Sequence, residues 1–337
     1  MKNKKNFIIN FLIIIFVLVL VLFFSLRDNF DEIMGYIFNM NPLCIVGAII
    51  TLCVCRALMA YTHYNVIKLN NENVSYYKCL LLNFIVLFFH GITPFSGGGQ
   101  PMEVYFLHKE KIRITKATNI TLQNFIIYQI AFVFIGVLAL LYNSYFDLFP
   151  NDHFIKKLVV LGFSINIIVL IGTFILSFCR SFSKFISEKI IHLIYGMKLI
   201  KDEDAAIEKI NGYLESFYNN ALELGKHKRV VFKILIVDFL AILTLYSMPY
   251  FVALGFGINL NMVQVFVTTA YVMTIGSFVP IPGGTGGIEY GFIFFYSFLI
   301  RGNVVNAIML IWRFVSYYFG MILGAIALSL SGKKENI

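Results

Sequence analysis

Charge is scarce in this 337-residue sequence. Asp, Glu, Lys and Arg make up 13% of it, about half the share in an ordinary soluble domain. Proline is held to seven residues and tryptophan to one. The five cysteines (Cys44, Cys53, Cys55, Cys79, Cys179) sit in or beside apolar runs, with neither zinc spacing nor a disulfide framework. No H-E-x-x-H, H-x-x-x-H, G-x-S-x-G or G-x-x-x-x-G-K-[ST] pattern occurs. These absences argue against a zinc enzyme, a nucleophile-elbow hydrolase and an ATP-driven pump. We expect no catalytic residue, metal site or cofactor. The one long polar stretch, 180–229, is short beside the ~100–150 residues of a common domain.

What is present is apolar. Hydrophobic residues reach 59%, and mean hydropathy is +0.81. That excludes a soluble globular enzyme, a disordered chain and a secreted disulfide scaffold. The apolar runs are continuous, as in Phe7–Leu26, whereas a membrane β-barrel alternates apolar and polar residues. The fold class is therefore an all-α polytopic membrane protein. The net charge of +9 comes from basic residues near span ends, which points to topology and anionic lipid contact rather than nucleic acid.

Full spans are expected at Phe7–Leu26, Leu43–Val66, Thr118–Tyr142, Leu158–Phe178, Val230–Leu254 and Asn303–Leu330. The first follows Lys2, Lys4 and Lys5 and is too long for a signal-peptide core, so it reads as a retained span. Two shorter apolar stretches are broken by Gly and Pro. Cys79–Ile92 runs into Thr93-Pro-Phe-Ser-Gly-Gly-Gly-Gln-Pro101, and Met262–Val279 runs into Pro280-Ile-Pro-Gly-Gly-Thr-Gly-Gly287. Fourteen residues cannot cross a ~30 Å core at ~1.5 Å each. Each break therefore predicts a re-entrant hairpin, giving about six spans, or eight if the arms are counted. The stretch 180–229 has apolar residues at helical spacing and reads as two amphipathic surface helices. Counting charges places the N-terminus, Lys68–Lys78, Lys109–Lys116, 180–229 and the C-terminus in the cytoplasm, and Arg27–Asn41 and Gly255–Asn261 outside.

The broken segments match at an offset of 186 residues: Pro94 with Pro280, Gly97 and Gly98 with Gly283 and Gly284, Glu103 with Glu289. Each has a span before and after it. The chain is thus expected to be one integral membrane domain, 1–337, with repeat units at about 43–142 and 230–331 and a linker at about 180–229. The charge-derived topology gives the units opposite orientations. Broken helices at matching positions in inverted repeats point to a translocation site.

The candidate site residues follow. Pro94, Gly97, Gly98, Gly99, Gln100, Pro280, Pro282, Gly283, Gly284, Gly286 and Gly287 form the breaks, whose backbone N–H groups would attract a lipid phosphate. Glu103 and Glu289 would bind a cationic headgroup, an arginine or a proton. Arg56, Arg313 and Asp238 lie inside spans, where isolated charge is costly. Pairing of the arginines with Glu103, Glu289 or Asp238 is expected. Snorkelling of the arginines to an interface, and solvation of Glu103 near Lys109, are the competing readings.

The two motifs, with Arg56 and the Trp312-Arg313 pair, resemble the lysylphosphatidylglycerol synthase transmembrane-region family, the flippase-like membrane part of the multiple peptide resistance factor. The first motif departs from the commoner Gly-Glu form, with Met102-Glu103 after Pro101. The resemblance implies movement of aminoacylated phosphatidylglycerol or a related anionic lipid to the outer leaflet of the cell membrane. Exposed lysyl-lipid repels cationic peptides and so confers antibiotic resistance. The family's soluble aminoacyl transferase domain is not expected, because the chain stops at Ile337 after its last span. Alternatives are a subunit of a phosphatidylglycerol lysyltransferase and a carrier of polyprenyl-phosphate or glycolipid. The partners implied are a membrane phospholipid, a separate lipid synthase and a second copy of the chain.

Overall fold

Long apolar runs bounded by caps become helices because in hydrocarbon every backbone N–H must bond within its own segment. A computed structural model describes residues 30–149, 153–197, 202–277 and 279–332. The expected first span Phe7–Leu26 and the terminal lysines lie outside these. The described residues are helical, joined by turns: α1 (Phe30–Asn39), α2 (Leu43–Leu69), α3 (Tyr76–Ile92), α4 (Gly99–Lys109), α5 (Ile114–Phe146), α6 (His153–Phe178), α7 (Arg180–Gly196), α8 (Glu203–Lys226), α9 (Lys228–Tyr246), α10 (Met248–Gly255), α11 (Met262–Gly276), α12 (Gly287–Tyr296), α13 (Val304–Arg313) and α14 (Gly320–Gly332). A π-helical segment, Phe314–Phe319, joins α13 to α14. Five stretches are long and apolar enough to cross a membrane: α2, α5, most of α6, α9 with α10, and α13 through α14. The chain is an all-α, multi-pass membrane protein.

The two broken segments form helical hairpins. Each starts on a polar cap. Ser75 Oγ accepts from the Lys78 N–H at 3.4 Å, and Asn261 Oδ1 accepts from the Val263 and Gln264 N–H groups at 2.9 and 3.3 Å. The arms hold 17 and 11 residues in the first hairpin, 15 and 10 in the second. None reaches the ~20 residues a span requires. Within each hairpin the arms pack on one another: α3 on α4, α11 on α12. Each tip is a short 3-10 turn, Pro94–Ser96 or Pro282–Gly284, and the two tips touch.

The hairpins enter from opposite ends of the bundle. At one end Lys78 pairs with Glu110. Lys116 meets Glu72 at 2.8 Å, and Asn119 on α5 donates to Ser216 on α8 at 3.0 Å. The base of the first hairpin, the basic loops and the α7–α8 pair therefore share that end. At the other end Asn303 donates to Glu32 at 2.7 Å, and the Asn41 N–H to the Gly255 carbonyl at 2.8 Å. Those loops flank the second hairpin. On α7, Phe182, Phe185 and Leu193 are exposed, an apolar row suited to a membrane interface.

The structural register differs from the sequence register. Pro94 and Pro282, not Pro280, open the two tips, and the second tip residue has positive φ in both, Phe95 at 54° and Gly283 at 65°. The offset there is 188. Glu103 is then the fifth residue of α4, whereas Glu289 is the third of α12. The two carboxylates are not equivalents, because the turns rather than the carboxylates set where each helix restarts.

Candidate functional site: the hairpin junction

The second tip is built around Arg313, the last residue of α13. Its Nε donates to Glu289 Oε1 at 2.6 Å, and its Nη2 to the Gly283 carbonyl at 2.6 Å. The guanidinium lies 4.3 Å from the centre of the Tyr317 ring. The Arg313 and Glu289 side chains are only 7% and 4% exposed. Glu289 Oε2 accepts from the Gly286 N–H at 2.6 Å. An Arg–carboxylate pair is the form in which buried charge is tolerable, provided the remaining lone pairs are bonded. Both conditions hold here.

Tyr317, in the π-helical segment, ties the hairpins together. Its hydroxyl donates to the Gly91 carbonyl at 2.8 Å, at the end of α3. Its ring fills the space beside Gly283, where a Cβ would lie 2.3 Å from Cε2. Phe292 stacks on Trp312 with centroids 4.7 Å apart, sealing the side of the pair. π-Helical turns recur at functional sites because they re-aim side chains within a helix. Here Arg313 and Tyr317 meet across that segment.

Most break residues converge on this junction: Pro282, Gly283, Gly284, Gly286 and Gly287, with Glu289 and Arg313, from one side, and Pro94, Gly97 and Gly98 from the other. Pro280 precedes the tip and is exposed. Gly99 packs against the His90 ring, and Gln100 follows it half-buried in the first turn of α4. Four tip N–H groups are already bonded within the protein. Gly97 donates to the Pro94 carbonyl at 3.0 Å, Gly98 to Thr93 Oγ1 at 2.8 Å, Gly284 to the Ile281 carbonyl at 2.9 Å and Gly286 to Glu289. The carboxylate of Glu289 thus occupies the start of α12, where a phosphate was expected.

Glu103, Asp238 and Arg56 lie elsewhere. Glu103 is buried, not solvated near Lys109. It faces His63 Nε2 at 3.3 Å and accepts from Asn124 at 3.1 Å. Asp238 on α9 accepts from the Thr62 hydroxyl at 2.7 Å. Arg56 is 9% exposed, and its Nε has no hydrogen-bond partner. Of the expected pairings, Arg313 with Glu289 is observed. Arg56 is in no ion pair with a carboxylate among the described residues, and it is buried rather than snorkelled to solvent. Tyr317, His63 and Asn124 were not singled out as site residues from sequence. Spacing signals two of them: Tyr317 lies four residues past Arg313 and His63 seven past Arg56, each on one helix face; no spacing signals Asn124. No cluster of three His, Cys, Asp or Glu able to hold a metal exists among the described residues.

A family model described as the lysylphosphatidylglycerol synthase TM region matches residues 7–324. The chain belongs to that family. Relatives with similar sequences are UPF0104 membrane proteins. One from Pyrococcus horikoshii is 24% identical over 96% of this chain and 97% of its own length. Another from Methanocaldococcus jannaschii is 24% identical over 97% of this chain and 95% of its own. A third, from Archaeoglobus fulgidus, is 24% identical over 77% of each. Membership gives this member of the lysylphosphatidylglycerol synthase TM family a membrane, lipid-related role.

Proposed function

We propose that this chain moves a phospholipid between leaflets, with the hairpin junction as the translocation site and aminoacylated phosphatidylglycerol or a related anionic lipid as cargo. One observation carries the reading. Two broken hairpins entering from opposite ends meet tip to tip around a buried Arg–Glu pair. Such pairs are rare in hydrocarbon, where each isolated charge costs ~2.5–3.5 kcal/mol or more, and they face a pathway or a partner. Two interrupted segments at matching positions form the site in transporters built on inverted repeats. Because Glu289 already holds the glycine N–H of its own turn, the phosphate is recognised by guanidinium. Arg313 becomes available at the junction when the Glu289 contact opens, and Arg56, outside the junction on α2, has unused bonding capacity for a headgroup on its way to or from it. The freed carboxylate then meets a cationic headgroup. This reading places the basic end of the bundle in the cytoplasm, with both termini, and the protein in the cell membrane.

The test is leaflet exposure in liposomes carrying headgroup-labelled phosphatidylglycerol or lysyl-phosphatidylglycerol, with a membrane-impermeant quencher outside. Wild-type protein accelerates loss of the inner-leaflet signal. Glu289→Gln and Arg313→Ala abolish the acceleration, and Arg56→Ala reduces it at least tenfold, about 1.4 kcal/mol. Folded wild-type protein that accelerates exchange of no phospholipid would overturn the proposal.

A further inference from the structure

The junction pair balances its own charge, one guanidinium against one carboxylate. A second buried cluster does not. Glu103 lies on α4 in the first hairpin, His63 on α2 and Asp238 on α9. Glu103 and Asp238 are buried, 5% and 2% exposed, and the His63 side chain is 14% exposed. No lysine or arginine forms an ion pair with either carboxylate among the described residues. The neighbouring ionisable groups are Arg56 and Cys55 on α2, Cys79 on α3 and Tyr128 on α5. Arg56 is the one fixed positive charge among them. It lies two helical turns from His63, roughly 10 Å along the axis. The Asn124 amide that donates to Glu103 leaves its Oδ1 buried without a partner.

The contacts around His63 locate a hydrogen. The Met59 carbonyl lies 2.9 Å from Nδ1. A carbonyl oxygen only accepts, so Nδ1 carries a hydrogen. Asn83 Nδ2 also faces Nδ1, at the longer distance of 3.3 Å, and donates to the Cys79 carbonyl at 2.9 Å. We assign the hydrogen to Nδ1 on the shorter contact. Nε2 of the neutral ring would then turn a lone pair toward Glu103 Oε1 at 3.3 Å. Lone pair against carboxylate is repulsive in a low dielectric. The contact holds when one proton lies between the two atoms.

We propose that His63, Glu103 and Asp238 form a buried proton-binding site, separate from the Arg313–Glu289 pair, and that proton binding latches the first hairpin to α2. A hydronium ion of the aqueous phase gives its proton to the Nε2 lone pair: one O–H bond breaks, one N–H bond forms, and a water molecule is left. The imidazolium then faces Glu103, with Asp238, held by Thr62, as the second compensating carboxylate. Loss of the proton leaves the Glu103 carboxylate against the lone pair of a neutral ring, with a second buried carboxylate nearby at Thr62, and releases α4. The site stands on its own contacts. That the latch serves lipid movement rests on the reading above.

The full chain carrying 15N-imidazole histidine, in phosphatidylglycerol nanodiscs, tests this by NMR at pH 5 and pH 9. The His63 signal is assigned by its loss in His63→Gln. Should that variant fail to fold, a variant keeping His63 and replacing the other five histidines by Gln gives the spectrum directly. We expect both ring nitrogens protonated at pH 5 and one at pH 9. Hydrogen exchange over 99–109, referenced to 287–296, rises at least threefold across the same change and is flat in His63→Gln. A neutral His63 at pH 5, or exchange over 99–109 that is flat in wild type or unaltered in His63→Gln, would overturn the proposal. A proton site observed in protein that moves no lipid would instead remove the transport reading and leave this one standing.

Discussion

Arg313 makes three contacts that lysine cannot make together: Nε to Glu289, Nη2 to the Gly283 carbonyl and the guanidinium face over Tyr317. A lysine keeps the charge but loses the planar fork. Arg313→Lys should therefore lose about 1.5–3 kcal/mol, the worth of a charge-assisted hydrogen bond. Arg313→Leu strands a buried carboxylate and should cost about 3–5 kcal/mol, while the double change Arg313→Leu, Glu289→Leu should restore most of it. Trp312, the one tryptophan, stacks beside the pair, so its fluorescence during thermal unfolding in detergent reads all three. A double variant less stable than either single one would contradict the pairing. Gly283 is the matching backbone constraint. Its φ of 65° disfavours a Cβ and the Tyr317 ring leaves no room for one, so Gly283→Ala should cost more than the ~1–2 kcal/mol of left-handed strain alone, read as a lower melting temperature. Arg313 and Glu289 were legible in the sequence because charge stands out in an apolar run. His63 was not, because its meaning depends on Glu103, forty residues away and on another helix.

The hairpins are legible at the scale of the element, and their detail is not. Short apolar arms broken by Pro and Gly announced two helical hairpins, since the missing N–H of proline and the freedom of glycine end a helix whatever surrounds it. The register followed the most recognisable residues and fell two positions out at the tips. Equating Glu103 with Glu289 concealed that one pairs with histidine and the other with arginine. The free glycine N–H groups expected of the breaks are mostly bonded at home, because tight turns close on their own carbonyls. What joins the elements is a π-helical segment that no residue pattern announced. Tyr317 in it donates to Gly91 across the junction. Tyr317→Phe keeps the ring beside Gly283 and removes that bond. We expect a stability loss of about 1 kcal/mol, with faster hydrogen exchange at the end of α3 and no change at the start of α2. Equal exchange at both sites would mean that the hydroxyl does not couple the hairpins.

At the scale of the whole molecule, charge placement and packing agree on which segments share an end. Counting lysines and arginines grouped Lys68–Lys78, Lys109–Lys116 and 180–229, and ion pairs and hydrogen bonds gather those same segments. The loops grouped as external meet through Asn303–Glu32 and Asn41–Gly255. The agreement has a physical origin: cytoplasmic loops retain basic residues during insertion, and chain connectivity then forces alternate loops to opposite ends. It also fixes the relation between the hairpins, since a segment that starts and finishes at one end must turn back inside. Single cysteines in an otherwise cysteine-free chain test this with an impermeant maleimide. Asn259→Cys, beside the second hairpin, should label in intact cells. Arg113→Cys, beside the first, should label only after permeabilisation. If the two exchanged behaviour, the bundle would be upside down but the hairpins would still enter from opposite sides, and the translocation site proposed at their shared tip would survive. If both labelled from the same side, the inverted arrangement would fall, and with it the argument that the Arg313–Glu289 pair lies where a lipid headgroup must pass.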